Sequence, residues 1–414
     1  MRDLLPAETP LWRHAEGLVH TVSAAYGYQE IRTPAFEPTQ LFVRSVGQET
    51  DIVHKEMYSL EDQGGKHLTL KPELTAPVVR AYIENHLDRE APLARLYYLD
   101  RLFRQERPQK GRLRQFHQFG AEALGSPHPE QDVEIIALAY DLCARFQPHG
   151  LTVHLNTIGT PASRGAYLQQ LRAALTPFAH QLVGLDRQRL ERNPLRLFDS
   201  KAPETRALME QHAPSLADYL SPEDIRHHDE VRAGLQALDI PFEDAPRLVR
   251  GLDYYTRTIF EITAPQLGAQ DALCGGGRYD GLVQQLGGPD IPATGFAAGI
   301  ERLLLAAGDG LRAQIASPSL DVAVVVLAEA ARFPAMKAAS DLRAAGFSVI
   351  LETLRRSARA QLREANRAAA RVAVIFGEEE LAHQACSVKP MAGGKQTEVP
   401  LAGLVEHVQG LLRS

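Results

Sequence analysis

Apolar residues recur at helical spacing through Leu11, Ala15, Leu18, Val19, Val22 and Tyr26 and stop at Gly27. The pattern predicts an opening helix with Thr9 as its N-cap and Pro10 in its first turn. Tyr28 to Thr33 then alternates as a strand that ends at Pro34, where the missing backbone donor is tolerated. Met57 to Leu60 and His67 to Leu70 read as a hairpin across Asp62-Gln63-Gly64-Gly65. It delivers the chain to Lys71-Pro72-Glu73-Leu74-Thr75 and a helix carrying Val78, Val79 and Tyr82 on one side. Leu93 to Phe103 and Leu113 to Ala121 form two strands joined by a polar loop. Next come a helix over Gln131 to Phe146 and a strand over Leu151 to Asn156.

From about 160 to 240 the residues change to Arg, Gln, Leu and Ala at helical spacing, which predicts a helical insertion. Strand patterning resumes at Thr258 to Ile262, at Cys274 with the glycines 275–277, and at the small residues Gly295 to Gly299, which run into a helix near Ile300. Beyond Ser317-Pro318-Ser319, strands alternate with helices: Asp321 to Ala328, Ala330 to Ala345, Gly346 to Glu352, Ala358 to Ala370 and Arg371 to Gly377. A hairpin around Gly393-Gly394 and a final helix over Leu401 to Leu412 complete a small α/β domain with parallel strands.

A chain of 414 residues that is 44% hydrophobic can bury more than one core. Its three cysteines, Cys143, Cys274 and Cys386, are far apart, which argues against a disulfide framework or a cysteine metal site. Without an apolar leader, and with its longest apolar run near Val322 to Leu327 far too short for a bilayer, the chain reads as soluble and cytoplasmic, with no membrane partner and no internal repeat.

Charge singles out one stretch. Phe103 to Gln118 gathers Arg104, Arg107, Lys110, Arg112 and Arg114 around a Pro-Gln-Lys-Gly turn in a chain whose formal net charge is -6. That reversal suggests an anionic ligand, with a solvated hairpin tip as the plainer alternative. Alternation along a strand would point Arg104 and Glu106 the same way. Glu73 and Thr75 suit helix capping, and the same carboxylate suits a ligand's ammonium group. Successive glycines at 275–277 suit close approach of a ligand or a strand bend. Arg302, in the first turn of its helix, opposes the dipole, so an anion explains it better than stability does.

Taken in order, these stretches resemble the histidyl-tRNA synthetases, a family of class II aminoacyl-tRNA synthetases, over nearly the whole chain. Thr9 to Pro34, Phe103 to Gln118 and Gly295 to Leu303 look like the three class motifs. R-G-L-D-Y-Y at 250–255 and G-G-G-R-Y-D-G-L at 275–282 are similar to stretches particular to the histidine enzymes. The resemblance implies an α+β catalytic domain with an antiparallel sheet, a helical insertion, and a C-terminal α/β anticodon-binding domain. The corresponding boundaries are 1–159 and 241–316 for the catalytic core, 160–240 for the insertion and 320–414 for the last domain.

The implied activity is that of a histidine-tRNA ligase, with ATP, L-histidine and histidine tRNA as partners, Mg2+ accompanying ATP, no dedicated metal site, and a homodimer. Carried onto matching positions, Arg104 and Arg250 serve the α-phosphate, and Arg112 and Arg302 the γ-phosphate. Glu106 and Phe116 take the adenine amino group and ring. Glu73, Thr75 and Gln118 hold and orient the amino acid, and Glu122 and Tyr255 pair with its imidazole. Arg250, Tyr254 and Tyr279 complete the histidine pocket, while Gln109, Lys110 and Arg114 are candidates for the tRNA acceptor end. Lys71 and Leu74 depart from the pattern, where arginine and glycine are common. The competing expectation is a histidine-binding paralogue resembling the regulatory subunit of ATP phosphoribosyltransferase, which would lack the anticodon domain and some of the arginines.

Overall fold

The chain divides into two units, Met1–Gln314 and Ile315–Ser414. The computed structural model describes residues 2–47, 50, 52–106, 111–268, 271–315 and 320–413. In the first unit the strands are β1 (Gln29–Glu30), β2 (Phe36–Pro38), β3 (Tyr58–Glu61), β4 (His67–Leu70), β5 (Ala94–Phe103), β6 (Gln115–Leu124), β7 (Thr152–Thr157), β8 (Phe242–Asp244), β9 (Thr256–Thr263), β10 (Ala272–Arg278) and β11 (Ala293–Gly299). Eight of them form one sheet in the order β1-β5-β6-β11-β10-β9-β7-β8, and β2, β4 and β3 form a small three-stranded sheet. Every pairing between β5 and β7 across the large sheet is antiparallel, and only the edge strands β1 and β8 pair in parallel.

Strand alternation sorts the sheet into a core face and a site face. On β6, Phe119, Ala121 and Ala123 enter the main core, and on β11, Phe296 and Ala298 do the same. Against this face pack Trp12, Ala15, Val19 and Val22 of helix Thr9–Ala25, and Ile135, Ile136 and Ala139 of helix Pro129–Arg145. Phe116, Gln118, Gly120 and Glu122 therefore share the opposite face of β6, and Gly295 and Ala297 that of β11. The middle of this second face is covered by a separate cluster including Tyr98, Val78, Val79, Tyr254 and Tyr279.

Two local expectations shift. Thr9 is the first residue of its helix rather than the cap, because its Oγ1 donates to Pro6 O in the preceding turn (3.2 Å) and Glu8 occupies the cap position. The strand expected over Tyr28 to Thr33 shrinks to Gln29–Glu30. Thr33 O instead accepts from the buried Lys71 Nζ at 3.0 Å, which draws that end of the segment out of the ladder.

Between β7 and β8 the chain is helical, and Tyr167, Leu171, Leu190, Leu197 and Leu208 form a core of their own. Helix Pro222–Ala237, the last in this stretch, opens with a capping box between Ser221 and Asp224. It places Val231 and Leu235 in the main core.

The second unit carries β12 (Val322–Val326), β13 (Val349–Leu351), β14 (Val372–Phe376), β15 (Ala385–Pro390) and β16 (Thr397–Pro400), in the order β13-β12-β14-β15-β16. β12 pairs in parallel with β13 and β14, and β15 and β16 add an antiparallel edge. Val322, Val324, Val374 and Phe376 meet Ala335, Ala339 and Leu342 of helix Arg332–Ala344.

Candidate functional site

The site face of β6 carries a carboxylate that is fully buried, Glu122. Its Oε1 accepts from Thr75 Oγ1 (2.8 Å) and Tyr98 OH (3.0 Å), and its Oε2 accepts from Tyr279 OH. Three of roughly four acceptor positions are thus used, leaving room for one more donor. Burial pushes the Glu122 acid up to about 8, against the pull of those three hydroxyls. Glu73 is also buried, and its carboxylate accepts from the amides of Thr75 (2.8 Å) and Ala76 (3.1 Å), which is the capping geometry for helix Thr75–Glu84. Burial pushes it up to about 7, opposed by those amides and by Arg104.

Glu73 borders a pocket of about 200 Å³ with Gln118, Arg250, Tyr254, Tyr255 and Tyr279 on its walls, and Glu122 is bonded to three of the lining residues, Thr75, Tyr98 and Tyr279. The Tyr254 ring lies 4.7 Å from Tyr255 and 5.5 Å from Tyr279, centroid to centroid. The glycines explain how backbone and side chains fit here. A Cβ at Gly295, which is in register with Glu122, would overlap the carboxylate, and one at Gly275 would overlap the Arg250 guanidinium. Leu74 lines the pocket, whereas Lys71 turns away and pairs with Asp100 Oδ2 at 2.6 Å.

A second pocket of about 440 Å³ shares Arg104, Gln118, Arg250 and Gly275 with the first and continues to Glu106, Arg112, Phe116 and Arg302. Arg104 Nε donates to Pro72 O (2.8 Å), and its guanidinium lies 5.2 Å from the Phe116 ring centroid. Glu106 stands between Arg104 (3.8 Å) and Arg112 (3.4 Å). Arg302, on helix Ile300–Ala306, is rooted by an Nε bond to Ala272 O (2.6 Å). Burial and then the like charge of Arg112 pull its pKa down, a repulsion that a bound anion would relieve. Arg250 Nη1 binds Glu261 Oε2, and its buried Nε has no hydrogen-bond partner among the described residues.

Other expected residues sit elsewhere. Arg114 is exposed and its Nε donates to Glu106 O at 3.3 Å. Gln109 and Lys110 lie outside the described residues, as do Arg107 and the 317–319 joint. Within 250–255, Asp253 faces the helical insertion, accepting from Arg196 Nη2 (2.9 Å) and Asn193 Nδ2 (3.0 Å). Arg278, despite its place in the glycine motif, is fully buried and pairs with Asp132 Oδ1 at 2.8 Å. The same carboxylate also accepts from Thr258 Oγ1 (2.7 Å) and meets His227 Nε2 (2.7 Å).

Sequence reasoning missed Tyr98, Glu261, Glu301 and Lys201, all of which line these pockets. Tyr98 lay in an apolar run with no mark beyond its place in a strand. Glu301 receives the backbone amide of His117 at 3.0 Å and approaches its Nδ1 at 2.9 Å, a contact across 184 residues that no local pattern carries.

Residues 1–303 match the family described as Histidyl-tRNA synthetase, and residues 321–411 match the Anticodon binding domain. A histidine--tRNA ligase of Moorella thermoacetica is 46% identical over 414 residues, covering 100% of this chain and 97% of that protein. One of Synechococcus sp. is 46% identical over 407 residues, covering 98% and 97%. The apo histidyl-tRNA synthetase of S. aureus superposes with a TM-score of 0.83 at 35% identity, covering 99% of this chain and 98% of that one. On the family match and on these full-length likenesses, the chain belongs to the histidyl-tRNA synthetase family.

Proposed function

We infer that the chain ligates L-histidine to histidine tRNA in two steps at the joined pockets. The observation that carries this is the continuity between a pocket walled by Glu73, Tyr254, Tyr255 and Tyr279, sized for a small amino acid, and an arginine-lined pocket sized for a nucleotide. In the first step a histidine carboxylate oxygen attacks the α-phosphorus of ATP, the bond to the bridging oxygen breaks, and pyrophosphate leaves. In the second the terminal ribose hydroxyl of tRNA attacks the carbonyl carbon and AMP leaves.

We assign the imidazole to Glu122 and Tyr255, with Tyr254 and Tyr279 closing around it, and the ammonium group to Glu73 and Thr75. One ring nitrogen donates and the other accepts, so both need a partner, and an apolar amino acid would leave the remaining acceptor position of the buried acid unfilled. Gln118 borders both pockets and suits orientation of the reacting carboxylate. Arg104 and Arg250 stand where the pockets meet and suit the α-phosphate, where charge develops on non-bridging oxygens. Arg112 and Arg302 suit the γ-phosphate. Glu106 suits the adenine amino group, and Phe116, with Arg104 over its ring, suits the base.

Mg2+ bound with ATP would neutralise phosphate charge. Glu261, Asp271 and Glu301 offer it hard oxygen donors beside the phosphates. Among the described residues no group of three or more His, Cys, Asp or Glu side chains could hold a metal ion.

We further assign a homodimer and residence in the cytoplasm. The opening helix's apolar stripe packs into its own chain's core, so dimerisation rests on the family and is tested by light scattering. Among the described residues no helix is long and apolar enough to cross a membrane.

The decisive experiment is exchange of labelled pyrophosphate into ATP with histidine or other amino acids. Exchange with histidine alone is expected. Histidine binding without exchange would favour the regulatory paralogue, a reading opposed by the retained Arg104, Arg112, Arg250 and Arg302 and by the anticodon-binding match.

A further inference from the structure

One cation reaches the phosphate pocket from outside the catalytic sheet. Lys201 lies in the insertion, in the turn between the short helix Pro194–Asp199 and helix Pro203–His212. It is exposed, yet it lines the same pocket as Arg112 and Arg302. Among the described residues it has no hydrogen bond and no ion pair.

The turn that presents it is held firmly. Ser200 Oγ donates to the buried Asp186 carboxylate, and Thr205 Oγ1 donates to the same oxygen at 2.7 Å. Arg206 Nε donates to Ser200 O at 2.9 Å, and the amide of Ala202 donates to Ser200 Oγ at 3.2 Å. The preceding helix is tied to the 250–255 stretch, with Arg196 Nη2 bound to Gly251 O at 2.7 Å and to Asp253. A fixed backbone thus places an unpaired lysine on the wall of a cleft that already holds arginines. Glu106, Glu261, Asp271 and Glu301 line the same cleft, yet Lys201 forms no ion pair with any of them, so pairing within the protein does not explain its place. An anion does.

We propose that Lys201 is a further contact for the terminal phosphates of ATP and for the pyrophosphate that leaves them, supplied by the insertion rather than by the catalytic sheet. The assignment rests on the function proposed above. A lysine ammonium acts as a point charge on phosphate oxygens and needs no bidentate geometry, which suits a contact made from a separate element. As the bond to the α-phosphorus breaks, charge grows on the leaving pyrophosphate, and a fixed cation there stabilises the departing group.

Lys201→Ala, Lys201→Glu and Lys201→Arg test it in the full-length protein by histidine-dependent pyrophosphate exchange, with KM measured separately for ATP, pyrophosphate and histidine. The alanine variant is expected to raise the KM for ATP and pyrophosphate about five- to tenfold and the glutamate variant more, as loss of one charge-assisted contact requires. Arginine should restore most of the affinity, and histidine KM and thermal stability should stay near those of the parent. ATP and pyrophosphate KM values unchanged in both the alanine and glutamate variants, with the parent active, would overturn the role of Lys201 alone. A parent protein that shows no exchange with histidine would overturn the proposed function and this assignment together.

Discussion

The two joined pockets are built in opposite ways. Around Glu122 every polar group is buried and held by protein: Thr75, Tyr98 and Tyr279 all donate to one carboxylate, and Gly295 gives it room. Around Arg112 and Arg302 the groups are more open, ion pairs are as long as 3.4 Å and 3.8 Å, and like charges face one another. A pocket that must reject wrong amino acids gains from groups that cannot rearrange to suit them. A pocket whose occupant gains charge and then departs gains from contacts left unsatisfied until the occupant arrives.

Arg250 stands between the two, and removing it breaks the comparison most sharply. Arg250→Ala is expected to lower pyrophosphate exchange by about a thousandfold, the scale of losing a fixed transition-state contact. Histidine binding by calorimetry should change far less. Near-normal exchange would remove Arg250 from the α-phosphate.

Glu122→Gln tests the closed side. An amide in this position keeps the shape but mismatches three hydroxyl donors, so kcat/KM for histidine should fall about 10- to 100-fold with the KM for ATP little changed. An equal rise in both KM values would mean that the pockets are not separable.

The smallest effect concerns pH. The folded protein raises Glu73 to about 7 and Glu122 to about 8 from the ordinary 4.5. Between those values the folded state keeps protons that the unfolded chain has released. Ligand-free stability is therefore expected to fall as pH rises from about 4.5 through 7 to 8. Melting temperature followed across that range should show the decline, and Glu122→Gln should flatten its upper part. An identical slope in parent and variant would place the titration elsewhere.

Much of the architecture was legible because its signals are local. Helix and strand periodicity marked the two units, and the basic stretch with Arg104 and Arg112 stood out by charge, which a solvated hairpin tip would also explain. Glu73 and Thr75 were readable as a helix start whose carboxylate suits an ammonium group, although the bond from Thr75 Oγ1 to Glu122, 47 residues away, was not. The rest depends on contacts between distant segments. Nothing near Arg278 distinguishes it from a phosphate-reading arginine. Its burial against Asp132, 146 residues away, appears only when helix Pro129–Arg145 crosses β10. Lys201 likewise resembled any solvated lysine until the turn beneath it was in place. The small size of Gly275 pointed to a close approach, but the approaching group, Arg250, could not be read from it.

Helix Pro222–Ala237 has a consequence for anyone wishing to excise the insertion. Cutting the chain at both ends of the 160–240 stretch would remove Val231 and Leu235 from the main core, and would strip His227 from a carboxylate it helps to enclose. The detachable cassette is shorter, ending near Ser221, before the capping box. The helix itself behaves as a borrowed rib of the catalytic body, and a surgeon of this protein must leave it behind.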